Sequence, residues 1–558
     1  MNDSQHHLAK AFAKSYQGVC HPRREALKRI ALASVGGGLV AVATFLLSGA
    51  LPARAQELSP RVLPRPNILW VIVENIGPDL GCYGQPLVKT PHIDQFAAEG
   101  IRYRLAFSTA PMCSPSRSAF MTGMYQTAIG AHNHRGHRTP GVDDHFHLPP
   151  DVQPITHRLR AAGYVTANIV TLAGKRVGTG KTDLNFEVEG PVLCPEEPPA
   201  SAKTESVLHN FQNSVRLFEA TEWSELKSHQ PFFAQVNLPV VERSSKGWIS
   251  SQEAPWSGQS HPKRIDPAQV TLPPYYPDQS ITREDWAGYL DAVCGVDDRV
   301  GEILKRLGDD GLADDTVVIL FADNGRLEHR GHGWCYDSGD RVPLVIRWPQ
   351  AFAASAPNQY RAGSVSDRLV SLLDLTATTL AIAGIKKPLG MHSQVFLGPD
   401  AEPPRAFVFS ARDRHDEAVQ RVRAVRTARY RYIRNFMPQR PLMAMHRYKD
   451  ACYSVVPLLR QLYKEGKLDA IQKALMAPRL PDEELYDLDS DPYEIKNLAT
   501  SPDPEHQHVL KQLRAELERW IEETKDQGRY AEPRAMIDYW TRQMHERFGT
   551  PELEPPYR

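Results

Sequence analysis

Apolar positions along this chain follow two distinct patterns. Residues 67–74, 230–237 and 316–322 are nearly continuous apolar runs of strand length, which predicts strands covered on both faces. A further strand is expected at 164–170. Trp286, Tyr289, Leu290, Val293, Val300, Ile303, Leu304 and Leu307 recur at helical spacing and predict one long amphipathic helix. Thr90-Pro91 opens a helix around Phe96 and Ala97 that Gly100 closes. Other helices are expected at 155–163, 205–228, 367–384, 457–464 and 506–525. A Pro-rich link at 388–404 leads to alternating segments at 406–410, 421–426 and 430–434, read as a small antiparallel sheet. The pattern therefore predicts a large α/β body and a smaller C-terminal α+β lobe, which a chain of 558 residues is long enough to build.

The N-terminal 55 residues read differently. Arg23-Arg24 precedes an apolar run at 30–51, and Ala53-Arg54-Ala55 offers a small-x-small cleavage site. The run is close to membrane-spanning length, so an uncleaved anchor is the competing reading. The paired arginines and the A-x-A ending favour a twin-arginine leader cut after Ala55. The expected product is bacterial, periplasmic or secreted, has used the twin-arginine export machinery, and keeps no membrane span. The resulting layout is a leader at 1–55, a catalytic domain at 56–400, an α+β subdomain at 401–525 and an unassigned tail at 526–558. Lys plus Arg equal Asp plus Glu at 66 each, which gives no footprint for nucleic acid. The seven cysteines have no metal-type spacing; a disulfide or two is compatible with them, but no connectivity can be read.

Chemistry concentrates at Cys113-Ser-Pro-Ser-Arg117-Ser-Ala-Phe-Met-Thr122-Gly123. Ser114 suits an N-cap, Pro115 the first turn and Gly123 the stop, which places Cys113 just ahead of a short helix whose N-terminus attracts anions. Arg117, on the same turn, adds a positive fork suited to a tetrahedral oxyanion. Cys113 is then either a low-pKa nucleophile or a buried small hydrophobe. The whole string resembles the signature of the type I sulfatases, C-x-P-x-R-x4-T-G, at every fixed position. In that family the cysteine is oxidised to formylglycine by a dedicated generating enzyme. Further similarities follow in family order. The first strand ends in Glu74-Asn75 and a later one in Asp323-Asn324-Gly325, where the family places its metal-binding residues; the resemblance implies that Glu74, Asn75, Asp323, Asn324 and the modified Cys113 hold Ca²⁺, with Mg²⁺ the alternative. Gly180-Lys181 matches an element whose lysine contacts the sulfate. A phosphate-loop reading of Gly180-Lys181-Thr182 fails, because Lys175 stands where that motif needs glycine.

The same resemblance exposes four departures. Asn75 replaces a carboxylate, Asp183 and Glu242 stand where histidines are usual, and His332 takes the place of a lysine. His134, from the His/Arg-rich stretch 132–138, is the histidine expected to line the site. The segment 412–416 could face the substrate. Overall the likeness spans about 65–523. It implies an alkaline-phosphatase-like sandwich with a large central mixed sheet flanked by helices, plus a C-terminal lobe with an antiparallel sheet. It also implies hydrolysis of a sulfate ester, of a sulfated carbohydrate or similar, with Cys113, Arg117, Lys181, His134 and His332 as the working residues. Two other readings stay open: a phosphomonoester or phosphonate-ester hydrolase on the same fold, and a non-catalytic binder of sulfated glycans.

Overall fold

The computed structural model describes residues 65–137, 146–172, 175–194, 205–244, 247–248, 264–398 and 400–558. The leader at 1–55 lies outside the described residues, as does 249–263 of the long loop expected at the substrate entrance. Among the described residues no helix is long and apolar enough to cross a membrane.

The central sheet contains β1 (Asn67–Val73), β2 (Ile101–Phe107), β3 (Val165–Leu172), β4 (Lys175–Arg176), β5 (Ala220–Glu222), β6 (Phe232–Leu238), and, after the short β7–β8 ribbon (Arg243–Ser244, Gly247–Trp248), β9 (Thr316–Ala322), β10 (Arg341–Arg347) and β11 (Val365–Ser371). Its order is β11-β2-β10-β9-β1-β6-β3-β4, with β5 also on β3. β1 runs parallel to both β6 and β9, and β10 is reversed between β9 and β2, so the sheet is mixed. β1, β6 and β9 are buried along their whole length, as their unbroken apolar runs require.

Around the sheet lie α1 (Pro91–Glu99), α2 (Cys113–Thr122), α3 (Ile155–Ala161), α4 (Glu205–Leu217), the long α5 (Ser280–Asp309) and α6 (Asp374–Ile382). Trp70 of β1 fixes the sheet to α2: its ring meets Phe233, Phe321 and Phe120 edge-on at 5.0, 5.5 and 5.9 Å. Two expected helices are corrected. The one expected over 205–228 ends at Leu217, after which the chain pairs with β3 as β5 and passes into a 3-10 turn at Trp223–Ser228. The free edge of β3 captures it. The one expected over 367–384 is strand β11 followed by α6, because the half-buried alternation of its first residues suits the edge beside β2.

A second sheet, β12-β13-β14-β15 (Val408–Arg412, Val422–Arg426, Tyr430–Asn435, Glu483–Asp487), is fully antiparallel; its fourth strand was not expected as one. It docks through buried arginines rather than apolar side chains alone. Arg431 pairs with Asp337, Asp340 and Glu494, and Arg423 with Asp413 and Asp526. α7 (Arg447–Cys452), α8 (Val455–Lys464), α9 (Ala470–Leu475) and α10 (Pro504–Glu523) follow. The stretch left unassigned after 525 forms α11 (Arg534–Phe548), with Met536, Trp540 and Met544 buried. None of Cys82, Cys113, Cys294, Cys335 and Cys452 is in a disulfide.

Candidate active site

The parallel strands β1, β6 and β9 deliver their C-terminal ends to one place, the usual position for a site in an α/β sheet. Glu74 and Asn75 follow β1, Asp323 and Asn324 follow β9, and Glu242 follows β6. Asn75 takes a left-handed backbone, φ 60°, which turns the chain sharply out of the strand. Its amide nitrogen donates to Asp323 Oδ1 at 3.1 Å, joining the two strand ends.

α2 begins at Cys113 itself, with Met112 extended ahead of it. Ser114 does not cap the helix; its hydroxyl accepts a hydrogen bond from the Arg135 amide at 2.9 Å. Gly123 closes the helix at φ 71°, as its position predicts. Cys113 Sγ lies 3.8 Å from Asn75 Oδ1. Burial pushes its thiol well above the ordinary value, reinforced by Asp323, Asp183 and Glu74, against the pull of Lys181. Burial thus outweighs the helix terminus, and the plain thiol is not a poised nucleophile.

Arg117, expected to offer its positive fork to an oxyanion, pairs with the carboxylates behind the cavity. Its fork faces inward: Nε donates to Asp323 at 2.9 Å, one Nη to Asn237 at 2.6 Å, and the other approaches Glu74 at 3.5 Å. It is buried and holds two carboxylates together rather than offering itself to a ligand. Lys181 completes the balance, with Nζ 2.9 Å from Glu74 Oε2 and 3.8 Å from Asp183. Burial opposes ionisation of Glu74, but Lys181 and Arg117 together hold its carboxyl below the usual range. Glu242 goes the other way: burial and the Glu74 charge raise it to about 8, and the two carboxyls share a hydrogen bond.

Cys113 and Asn75 open onto a cavity of about 210 Å³ that Lys181, Asp183, Glu242, His134, His332, His415 and Asp416 also line. All four departures from the family pattern (Asn75, Asp183, Glu242 and His332) therefore face one cavity. Glu74, Arg117, Asp323 and Asn324 lie behind it. Of the charged segment 412–416, only His415 and Asp416 reach the cavity. Its far wall holds Met544, Arg547 and Phe548 of α11 and Tyr448 of α7, none of which was anticipated. The spacing of Met536, Trp540 and Met544 was a readable amphipathic signal for α11.

His134 Nδ1 is 3.0 Å from Asp416 Oδ1. Burial lowers the His134 pKa against the opposing pull of Asp416, and lowers that of His332 much further, helped by Lys449. Asp416 is held far below the carboxylate range: burial resists, but His134 and Arg135 prevail.

Comparison with known proteins fits this geometry. The sequence model of the Sulfatase family matches residues 66–185 and 222–385, more than half of the chain. The chain belongs to the sulfatase family. It is 31% identical to an ulvan-active sulfatase of Formosa agariphila over 87% of this chain and 79% of that one. It is also 28% identical to human N-sulphoglucosamine sulphohydrolase, over 84% and 91% of the two chains. Among solved structures, the phosphonate monoester hydrolase of Agrobacterium radiobacter superposes with a TM-score of 0.54 at 16% identity, covering 82% of this chain and 96% of that one, which shows a shared fold. The sulfatase is accordingly a sulfuric ester hydrolase built on the mixed-sheet sandwich described above.

The oxygen donors of a sulfatase metal site suit the residues present. Two carboxylates and two amides converge where the strands end, and Asn324 Oδ1 is buried with no hydrogen-bond partner among the described residues. Asn75 Oδ1 lies 3.0 Å from Asn324 Nδ2, so both amides sit at the same point. Such a hard-oxygen set fits Ca²⁺ or Mg²⁺.

Proposed function

We propose that this sulfatase hydrolyses a sulfate ester of a sulfated carbohydrate, with formylglycine made from Cys113 as its nucleophile. The observation that carries the reading is the placement of Cys113 at the first position of α2, beside Asn75 and open to the cavity that Lys181 lines. Both relatives named above carry sulfated-sugar or ulvan activity in their names, which supports a glycan substrate.

Glu74, Asn75, Asp323 and Asn324 would hold Ca²⁺, or Mg²⁺ in its place. When bound, the ion supplies charge for the sulfate oxygens and for the nucleophile. Formylglycine at position 113 would supply a hydrated aldehyde, with one hydroxyl to displace the ester alcohol from sulfur and a second whose proton loss would re-form the aldehyde as sulfate leaves. The remaining work belongs to side chains in place. Arg117 locks Glu74 against Asp323, so that both carboxylates keep their orientation. Lys181, in reach of the cavity, neutralises sulfate charge. Proton transfer falls to His134, His332 and Glu242, because the usual histidines are replaced by Asp183 and Glu242.

Peptide mass measurement on the fragment holding Cys113, from protein made with a generating enzyme, tests the nucleophile. Exchange of the thiol for an aldehyde is expected; an intact thiol in active protein would refute it. Glutamine at His134, His332 and Glu242 in turn tests proton transfer, and unchanged turnover in all three removes that assignment. The phosphonate-hydrolase fold likeness keeps one rival in view, and parallel rates on aryl sulfate and aryl phosphonate separate the two. A chain that binds sulfated oligosaccharides without turnover would support the non-catalytic reading instead. We further propose twin-arginine export, cleavage after Ala55 and a periplasmic or secreted product, checked by N-terminal sequencing of the exported protein.

A further inference from the structure

Opposite the nucleophile, the cavity wall is built from imidazoles. The rings of His134, His332 and His446 all surround His415, with centroids at 4.8, 4.9 and 4.5 Å. His415 is 1% exposed, yet both of its nitrogens lack a hydrogen-bond partner among the described residues. Two unsatisfied nitrogens on one buried ring are costly unless something binds there. Asp416 lies beside three of these rings. Its Oδ1 is 3.0 Å from His134 Nδ1, and its Oδ2 is 3.9 Å from His415 Nε2. Ligand atoms of His134, His415 and Asp416 all fall within 4.8 Å of one another.

We propose that His134, His415 and Asp416 form a second metal site, separate from the oxygen site behind Cys113, that takes a nitrogen-preferring divalent transition ion of the Zn²⁺ class. Two imidazoles and a carboxylate are a donor set for zinc rather than calcium. Three protein ligands leave a fourth position, and the three residues line the cavity, so that position faces the ligand space.

The surroundings suit such a site. His446 Nδ1 accepts from the Lys449 amide at 3.4 Å, and its Nε2, 3.8 Å from Asp416 Oδ2, makes no hydrogen bond among the described residues. Arg135 approaches Asp416 Oδ1 only at 3.7 Å, too long to claim that oxygen as a hydrogen bond. Arg414 fixes the two ligand segments to each other, donating to the carbonyls of His134 at 3.1 Å and Asp416 at 2.7 Å, while Glu532 holds its other edge. Gly333 makes room: a Cβ there would stand 2.5 Å from His415 Nδ1.

The test uses the full chain without a histidine tag, equilibrated with zinc chloride in calcium-containing buffer, desalted, and analysed for metals. About one zinc per chain is expected in the wild type. His415→Gln and Asp416→Asn should each lose it by about tenfold or more, with calcium content and circular dichroism unchanged. Cys113→Ala should retain it. X-ray absorption on the zinc-loaded wild type, which needs no variant to fold, should show imidazole nitrogens at about 2.0–2.1 Å. Zinc near zero in the wild type, zinc kept by both ligand variants, zinc lost with Cys113→Ala, or an all-oxygen shell would each overturn the site. None of these readouts depends on turnover, so failure of the zinc site is distinguishable from failure of the formylglycine mechanism; a filled site would leave proton transfer to His332 and Glu242 rather than His134.

Discussion

The two walls of the cavity treat polar groups in opposite ways. On the strand-end side, Glu74 and Asp323 are matched by Arg117 and Lys181, and most of the polar atoms have a partner. On the histidine side, His332 Nε2, His446 Nε2 and both nitrogens of His415 have none among the described residues. Charge balance makes the first wall self-supporting, so it can hold geometry before any ligand arrives. The second wall is complete only when something fills it.

Substitutions at the strand-end wall should have the largest effects. Cys113→Ala should lower kcat/KM by about 10⁴-fold or more, with folding intact, measured on an aryl sulfate. Arg117→Met should destabilise the fold by about 3–5 kcal/mol, because two buried carboxylates lose their counter-charge; denaturant unfolding reads this directly. Lys181→Met should cost about 10²-fold in kcat, since Lys181 borders the cavity and its loss removes a cation from the sulfate. At the histidine wall, His332→Gln should cost about tenfold, visible in the pH–rate profile rather than in stability. Equal losses at Lys181 and His332 would erase the contrast between the walls.

A last effect, on stability alone, lies away from both walls, where the second sheet docks. Burial raises Asp340 from 3.8 to about 6, with Arg431 and Ser410 opposing the rise and Asp337 adding to it; the Cys335 thiol is the other titratable neighbour. Because the folded value is the higher one, this group's contribution is fully present below pH 4 and is lost as pH rises through 6. Unfolding free energy should fall by up to about 3 kcal/mol over that window. Asp340→Asn should flatten the slope, and an unchanged pH profile would show that Arg431 fully compensates the charge.

Much of this was readable before any fold was known, for specific reasons. The run 316–322 is a strand with those bounds, because a strand covered on both faces needs an unbroken apolar run. The cysteine signature and Asp323-Asn324-Gly325 were legible because each is a contiguous string at a strand or helix end. For Arg117, the sequence showed a cation on the first turn but not that Asp323 and Asn237 would pair with it. The break at Leu217 was missed because the pairing edge that causes it belongs to β3, far away in the chain.

By itself, the sequence determined the central strands β1, β3, β6 and β9, the helix that begins at Cys113 and the two acidic strand ends, since each depends on neighbours a few residues apart. Only the tertiary structure decided that His415 and Asp416 would join His134 and His332 at one cavity. His134 and Asp416 lie 282 positions apart and meet only because the second lobe folds back over α2. The far wall from α11 arises the same way. A site shared by segments so distant is fixed by packing, and no local pattern encodes it.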